Sequence, residues 1–209
     1  MLLHPVGLDL TYWGDQIAAF SRDHDVVAFD LPNHGRSGAL SQPPTFDLLA
    51  GVLESVLGRI GGKPAHLVGV SVGGMIGQAF ALRRPALVKS LTLVATLCTF
   101  SDEVRATLRE RANVARTSGM DRIAELSNAR WFTGDFGLRR PDLLDRTTKS
   151  LLLQDHEFHV SMWGMRVYHT SRRVFEPVVE NADSLQHMPI RLFLRTGTSV
   201  ILFEKSANP

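Results

Sequence analysis

Gly69-Val70-Ser71-Val72-Gly73 has the form G-x-S-x-G, and its flanks decide the fold. An apolar run of β type, Ala65-His66-Leu67-Val68-Gly69-Val70, leads in. A small-residue helical stretch, Gly73-Gly74-Met75-Ile76-Gly77-Gln78-Ala79-Phe80-Ala81-Leu82, leads out. Strand, sharp turn and helix in that order are the setting of a nucleophile elbow, which holds a serine hydroxyl clear of a sheet at the mouth of a helix. Such a turn strains the backbone at Ser71 and admits only small neighbours, so Gly69 and Gly73 remove the Cβ atoms that would collide. In a chain with 17 glycines the motif also reads as a β–α turn with an incidental serine; the flanking elements favour the elbow.

Outward from the elbow, apolar runs alternate with helical patterns. Met1 to His4 reads as a strand, Leu10 to Phe20 as a short helix, and Asp25 to Asp30 as a second strand. Phe46 to Ile60 is an amphipathic helix with Leu49, Leu53, Val56 and Ile60 on one face. Ala65 to Val70 is the third strand and Val88 to Ala95 the fourth. This alternation implies an α/β fold: a mostly parallel sheet with helices on both faces, its strand C-terminal ends gathered at one edge. From Ser101 to Ser184 only helical patterns follow: Asp102 to Ser118, stopped by Gly119, then Met120 to Ala129, Pro141 to Gln154, His156 to Thr170 and Arg172 to Asn181. Strand character returns at Ile190 to Leu194. The expected organisation is a sheet core over 1–100 and 185–209 with a helical cap over 101–184.

The single cysteine, Cys98, excludes an intramolecular disulfide and fits a reducing, cytoplasmic compartment. There is no run of apolar residues long enough to span a membrane and no secretory pattern at the start. The net charge of +2 arises from scattered arginines, which gives no case for nucleic acid as a partner. No metal-ligand spacing and no dinucleotide fingerprint is present, so neither a metal nor an organic cofactor is expected.

Several fragments resemble the α/β-hydrolase family. Leu3-His4-Pro5-Val6-Gly7 is similar to its oxyanion loop, Asp30-Leu31-Pro32-Asn33-His34-Gly35-Arg36-Ser37-Gly38 to its D-x-x-G-H-G-x-S loop, and Gly69 to Gly74 to its elbow. Within that fold the chain most resembles the 3-oxoadipate enol-lactonases, at Leu3 to Leu8, Ser71-Val72-Gly73-Gly74-Met75, Gly119-Met120 and Ala129-Arg130-Trp131-Phe132-Thr133. The resemblance extends to about Gly197. It implies a serine hydrolase of a small ester or lactone, with Ser71 as nucleophile and the backbone N–H groups of Val6 and Val72 as oxyanion donors. Pro5 has no N–H to give. Arg130 beside Trp131 either binds a carboxylate-bearing substrate over Ser71 or is a solvated arginine next to a packing aromatic, and the second reading weighs more.

The chain departs from the family pattern beyond the fifth strand. Where the resemblance places an aspartate, Thr198 to Phe203 stand without a carboxylate until Glu204, and no histidine follows His187. The sequence reads as a hydrolase truncated at both ends, its outer strands missing and its activity impaired. His187 precedes the fifth strand, on the edge away from the elbow; His156, His159 and His169 belong to the cap, where each either hangs over the pocket as a stand-in base or is a solvated or packed residue, and the second reading weighs more; His4 and His34 read as structural, and Asp30 as fixing its own loop. Asp102 reads as a helix-starting acid. Unpaired sheet edges at the second and fifth strands predict self-association, relieved if Val200 to Phe203 forms a strand of its own. A catalytically silent binding protein, and a carboxylesterase or C–C hydrolase on the same scaffold, are the alternatives.

Overall fold

A computed structural model describes residues 1–98, 100–168, 190–196 and 199–205, with backbone alone from 166 onward. In chain order the elements are β1 (Leu2–Leu3), α1 (Gly14–Phe20), α2 (Phe46–Arg59), β2 (Ala65–Val70), α3 (Val72–Arg83) and β3 (Val88–Val94). Four helices follow, α4 (Asp102–Trp131), α5 (Gly134–Arg139), α6 (Pro141–Leu152) and α7 (His156–Tyr168), and then β4 (Ile190–Thr196) and β5 (Ser199–Lys205). The strands form one sheet in the order β1-β2-β3-β4-β5, parallel through β4, with β5 antiparallel on its outer edge. This is the expected α/β architecture.

Helix α3 runs through the centre, with every residue from Val72 to Ala81 buried. A helix buried on all sides carries no amphipathic pattern, and between Val72 and Ala81 only Gln78 is neither small nor apolar. Gly73 is required for this packing: a Cβ there would strike the Leu3 and His4 carbonyls. Helix α2 packs against α3 through Phe46, Leu49, Ala50, Leu53 and Leu57. Burial of each large member contributes about 1.5–3 kcal/mol. Thr45 caps α2 by accepting the Leu48 N–H at 3.1 Å. Leu57 takes the inward position expected of Ile60, which is 48% exposed at the C-cap.

Asp25 to Asp30 does not form the strand its composition predicts. It contributes one bridge, Ala28 to Leu2, and the hydrogen bond from Leu2 N to Val27 O at 2.8 Å. Its partner β1 is only two residues long, so no ladder propagates. Leu10 to Phe20 divides into a 3-10 helix (Leu10–Trp13) and α1. The break expected at Gly119 is present inside α4, where φ 76° and ψ −178° interrupt the helical backbone. Helix α4 packs against both α6 and α7. The segment Arg172 to Asn181 lies outside the described residues. Cys98 is half-buried against the core. None of the described helices is long and apolar enough to cross a membrane.

Candidate active site

Ser71 is the N-cap of α3 and has φ 53°, ψ −116°, a conformation that L side chains rarely adopt. Such strain costs about 1–3 kcal/mol and persists only where the surroundings over-determine it. Here the surroundings are the end of β3: Ser71 N donates to Val94 O at 2.9 Å, and Thr96 Oγ1 donates to Ser71 O at 2.7 Å. A Cβ on Gly69 would come within 2.5 Å of the Gly73 and Gly74 backbone, and one on Gly74 within 2.7 Å of Thr96. The turn closes only on glycine at these positions. The helix begins at Val72, one residue earlier than the sequence pattern suggests.

Half-buried Ser71 lines a cavity of about 860 Å³. Val6 also lines it, while Val72 is fully buried at the first position of α3. Neither the Val6 nor the Val72 amide donates a hydrogen bond to another described residue. First-turn amides of a helix have no partner within it and carry the positive end of its dipole.

Two buried histidines fix the loop that presents Val6. His34 Nε2 accepts the Gly7 N–H at 3.2 Å while its Nδ1 donates to Pro32 O at 2.8 Å. His4 Nε2 accepts the Leu31 N–H at 2.9 Å while its Nδ1 donates to Pro5 O at 2.9 Å. Both rings are neutral in this arrangement. Burial, with His4 adjacent, pushes the His34 pKa down to about 3, and burial lowers that of His4. Asp30 fixes its loop as expected, accepting the Leu10 N–H at 2.7 Å and the Arg36 N–H at 2.9 Å.

The opposite wall comes from the helices between β3 and β4. Val104, Thr107, Leu108 and Arg111 of α4 line the cavity at helical spacing. Leu143, Arg146, Thr147 and Ser150 of α6 do the same. Arg130 and Trp131, from the far end of α4, also reach it. The Arg111 guanidinium lies 5.4 Å from the centroid of the Trp163 ring, another lining residue. Three arginines thus face a cavity that includes the carboxylates of Asp9 and Asp15. Arg111 and Arg146 escape the sequence reading, since a face that mixes threonine, leucine and arginine has no distinctive pattern.

Among the described residues no histidine lines the cavity. His156 Nε2 donates to Ala115 O at 2.5 Å, pinning α7 to α4. His159 is buried and accepts the Trp163 indole N–H at 2.9 Å. His169 and His187 lie outside the described residues. Asp102 is fully exposed in the first turn of α4. Glu204 pairs in register with Arg191 near the start of β4, and so stands at the sheet edge opposite the elbow. The outer edge of β4 is covered by β5.

A largely parallel α/β sheet with a strained serine between its second strand and a buried helix fits the α/β-hydrolase class. A model of the alpha/beta hydrolase fold family matches residues 1–176, and the chain belongs to that family. It is 28% identical over 156 residues to 3-oxoadipate enol-lactonase 2 of Acinetobacter baylyi, covering 75% of this chain and 58% of the relative. It is 38% identical over 85 residues to a putative carbamate hydrolase of Pseudomonas savastanoi, covering 40% and 32%. The crystal structure of the enol-lactonase from Burkholderia xenovorans superposes with a TM-score of 0.72 at 31% identity, over 80% of this chain and 64% of that one. The chain therefore spans less than two thirds of the length of each.

Proposed function

We propose that the chain is a serine hydrolase of small esters or lactones, similar in chemistry to the enol-lactonases. One observation carries the proposal: Ser71, at φ 53°, lines a cavity of about 860 Å³ that Val6 also lines. In this reading Ser71 Oγ attacks the acyl carbon, and the two amides receive the negative charge that develops on the carbonyl oxygen. The bond to the leaving oxygen then breaks, the alcohol departs with the proton, and water releases the acid. The substrate class in this proposal is an acid-bearing ester or lactone, recognised by Arg130 beside Trp131 and assisted by Arg111 and Arg146. Arginine pairs its planar fork with carboxylate oxygens, and these three are the cavity's cations among the described residues.

A second reading, a chain that binds such a ligand and turns it over poorly or not at all, is supported by the cavity wall, where no histidine stands among the described residues. Incubation with a p-nitrophenyl ester and with a serine-directed fluorophosphonate separates the readings. Labelling confined to Ser71 together with measurable but slow turnover is the expected result. Neither label nor turnover would leave the silent reading standing.

A further inference from the structure

We propose that Ser150 of α6 is a positioning residue that, through Asp9, holds the Val6 amide in place for the oxyanion. The proposal rests on the hydrolase reading above. Ser150 Oγ donates to Asp9 Oδ2 at 2.7 Å, across 141 positions of sequence. The other carboxylate oxygen of Asp9 accepts from its own loop, from Thr11 N at 2.9 Å and Thr11 Oγ1 at 2.5 Å. Burial alone would raise the Asp9 carboxyl, yet donation from Ser150 and Thr11 outweighs it and holds the group below its ordinary range. Asp9 is therefore an ionised acceptor near neutral pH, the state in which a hydroxyl bond is strongest.

The segment between β1 and the 3-10 helix is thus gripped from two sides. On the core side His34 Nε2 takes the Gly7 N–H. On the other, Ser150 holds Asp9, and Leu151, buried, sits where a Cβ on Gly7 would go, within 2.6 Å. Gly7 is at φ 83°, a conformation that glycine adopts freely and that gives the segment no stiffness of its own. Val6 adjoins Gly7 and stands three residues before Asp9, in the same short stretch. Because its amide must meet the oxyanion and not the ground-state carbonyl, small displacements reduce the rate more than the binding. Ser150 also lines the cavity, but its hydroxyl is directed at Asp9, and its proposed effect runs through the loop.

The test compares Ser71 labelling by a fluorophosphonate in the wild-type chain, Ser150→Ala and Ser150→Thr. In that reaction the Oγ–P bond forms, the P–F bond breaks and fluoride leaves, while the hydroxyl proton passes to solvent. The phosphoryl oxygen occupies the oxyanion position. Ser150→Ala should label about ten-fold more slowly, within the hundred-fold range that misplacement produces. Its KM for a neutral p-nitrophenyl ester should stay within about two-fold while kcat falls, since uniform binding is untouched. Ser150→Thr keeps the hydroxyl and should label at close to the wild-type rate. A labelled wild type with an equally reactive Ser150→Ala overturns this proposal alone. A wild type that takes no label overturns the nucleophile reading and this proposal with it. Should Ser150→Ala not fold, Ser150→Cys, a weaker donor of similar size, reads the same rate and should label more slowly than both the wild type and Ser150→Thr.

Discussion

Thr96, two residues beyond β3, donates its hydroxyl to the carbonyl of Ser71 at 2.7 Å, binding the end of one strand to the strained turn that follows its neighbour. The same carbonyl also accepts the Met75 N–H at 3.2 Å. Thr96→Val keeps the methyl group against Gly74 and removes only the donor. The carbonyl keeps one partner, so the loss is that of one hydrogen bond, about 0.5–1.5 kcal/mol. For a chain of this size that lowers the unfolding temperature by about 2–4 °C per kcal/mol. Thermal unfolding and the rate of Ser71 labelling should both decline; no change in either would mean that Thr96 does not hold the elbow.

Two glycine substitutions should act in opposite directions. Gly73→Ala brings a Cβ onto the backbone carbonyls of Leu3 and His4, which cannot swing aside as side chains do. Overpacking of this kind costs about 1–3 kcal/mol, and backbone contact puts it at the upper end. Gly14, at φ −50° in α1, has nothing within 4 Å of the point where a methyl group would stand. Gly14→Ala should stabilise by about 0.4–1 kcal/mol through the unfolded chain. Urea midpoints measured side by side check the pair.

Stability should fall as the solution is acidified through the histidine range. His34 has its pKa depressed to about 3 in the folded chain, so the unfolded chain binds its proton first as pH drops below about 6.5. The contribution is complete above that value and is lost progressively toward pH 3; His4 acts in the same direction. Between pH 7 and pH 5 His34 alone accounts for about 2 kcal/mol by this linkage. Denaturant unfolding at the two pH values measures the slope, and His34→Asn should flatten it. An unchanged slope in that variant would show that His34 is not the proton-sensitive group.

Arg130→Gln should discriminate between substrates. For an ester bearing a remote carboxylate, loss of a charge-assisted contact of about 1.5 kcal/mol lowers kcat/KM about ten-fold. A neutral ester of the same length should be hydrolysed at an unchanged rate. No effect on either would place Arg130 in the solvated role that its exposed surface also permits.

What was legible in the sequence was local. The elbow is read from Ala65 to Leu82 because its strand, glycines and helix are contiguous, and the geometry follows from sterics within that stretch. Asp25 to Asp30 has β composition but forms one bridge, because a strand depends on a neighbour and β1 offers two residues. Helix α5 has two glycines in six residues and no propensity to announce it; the Thr133 cap, accepting the Phe136 N–H, is its only local signal. Arg111, Arg146 and the Asp9–Ser150 contact were illegible for another reason. They depend on which sides of distant helices meet over Ser71, and tertiary packing alone decides that.

The interruption at Gly119 settles more than the end of a helix. An unbroken α-helix rises about 1.5 Å per residue, which would set Val104 and Arg130 about 39 Å apart, yet both border one chamber of about 860 Å³. Between them the helical path is interrupted at one residue whose torsions, φ 76° and ψ −178°, suit glycine alone. The make-up of that chamber therefore depends on a residue outside its lining: the stretches of α4 before and after Gly119 each contribute wall.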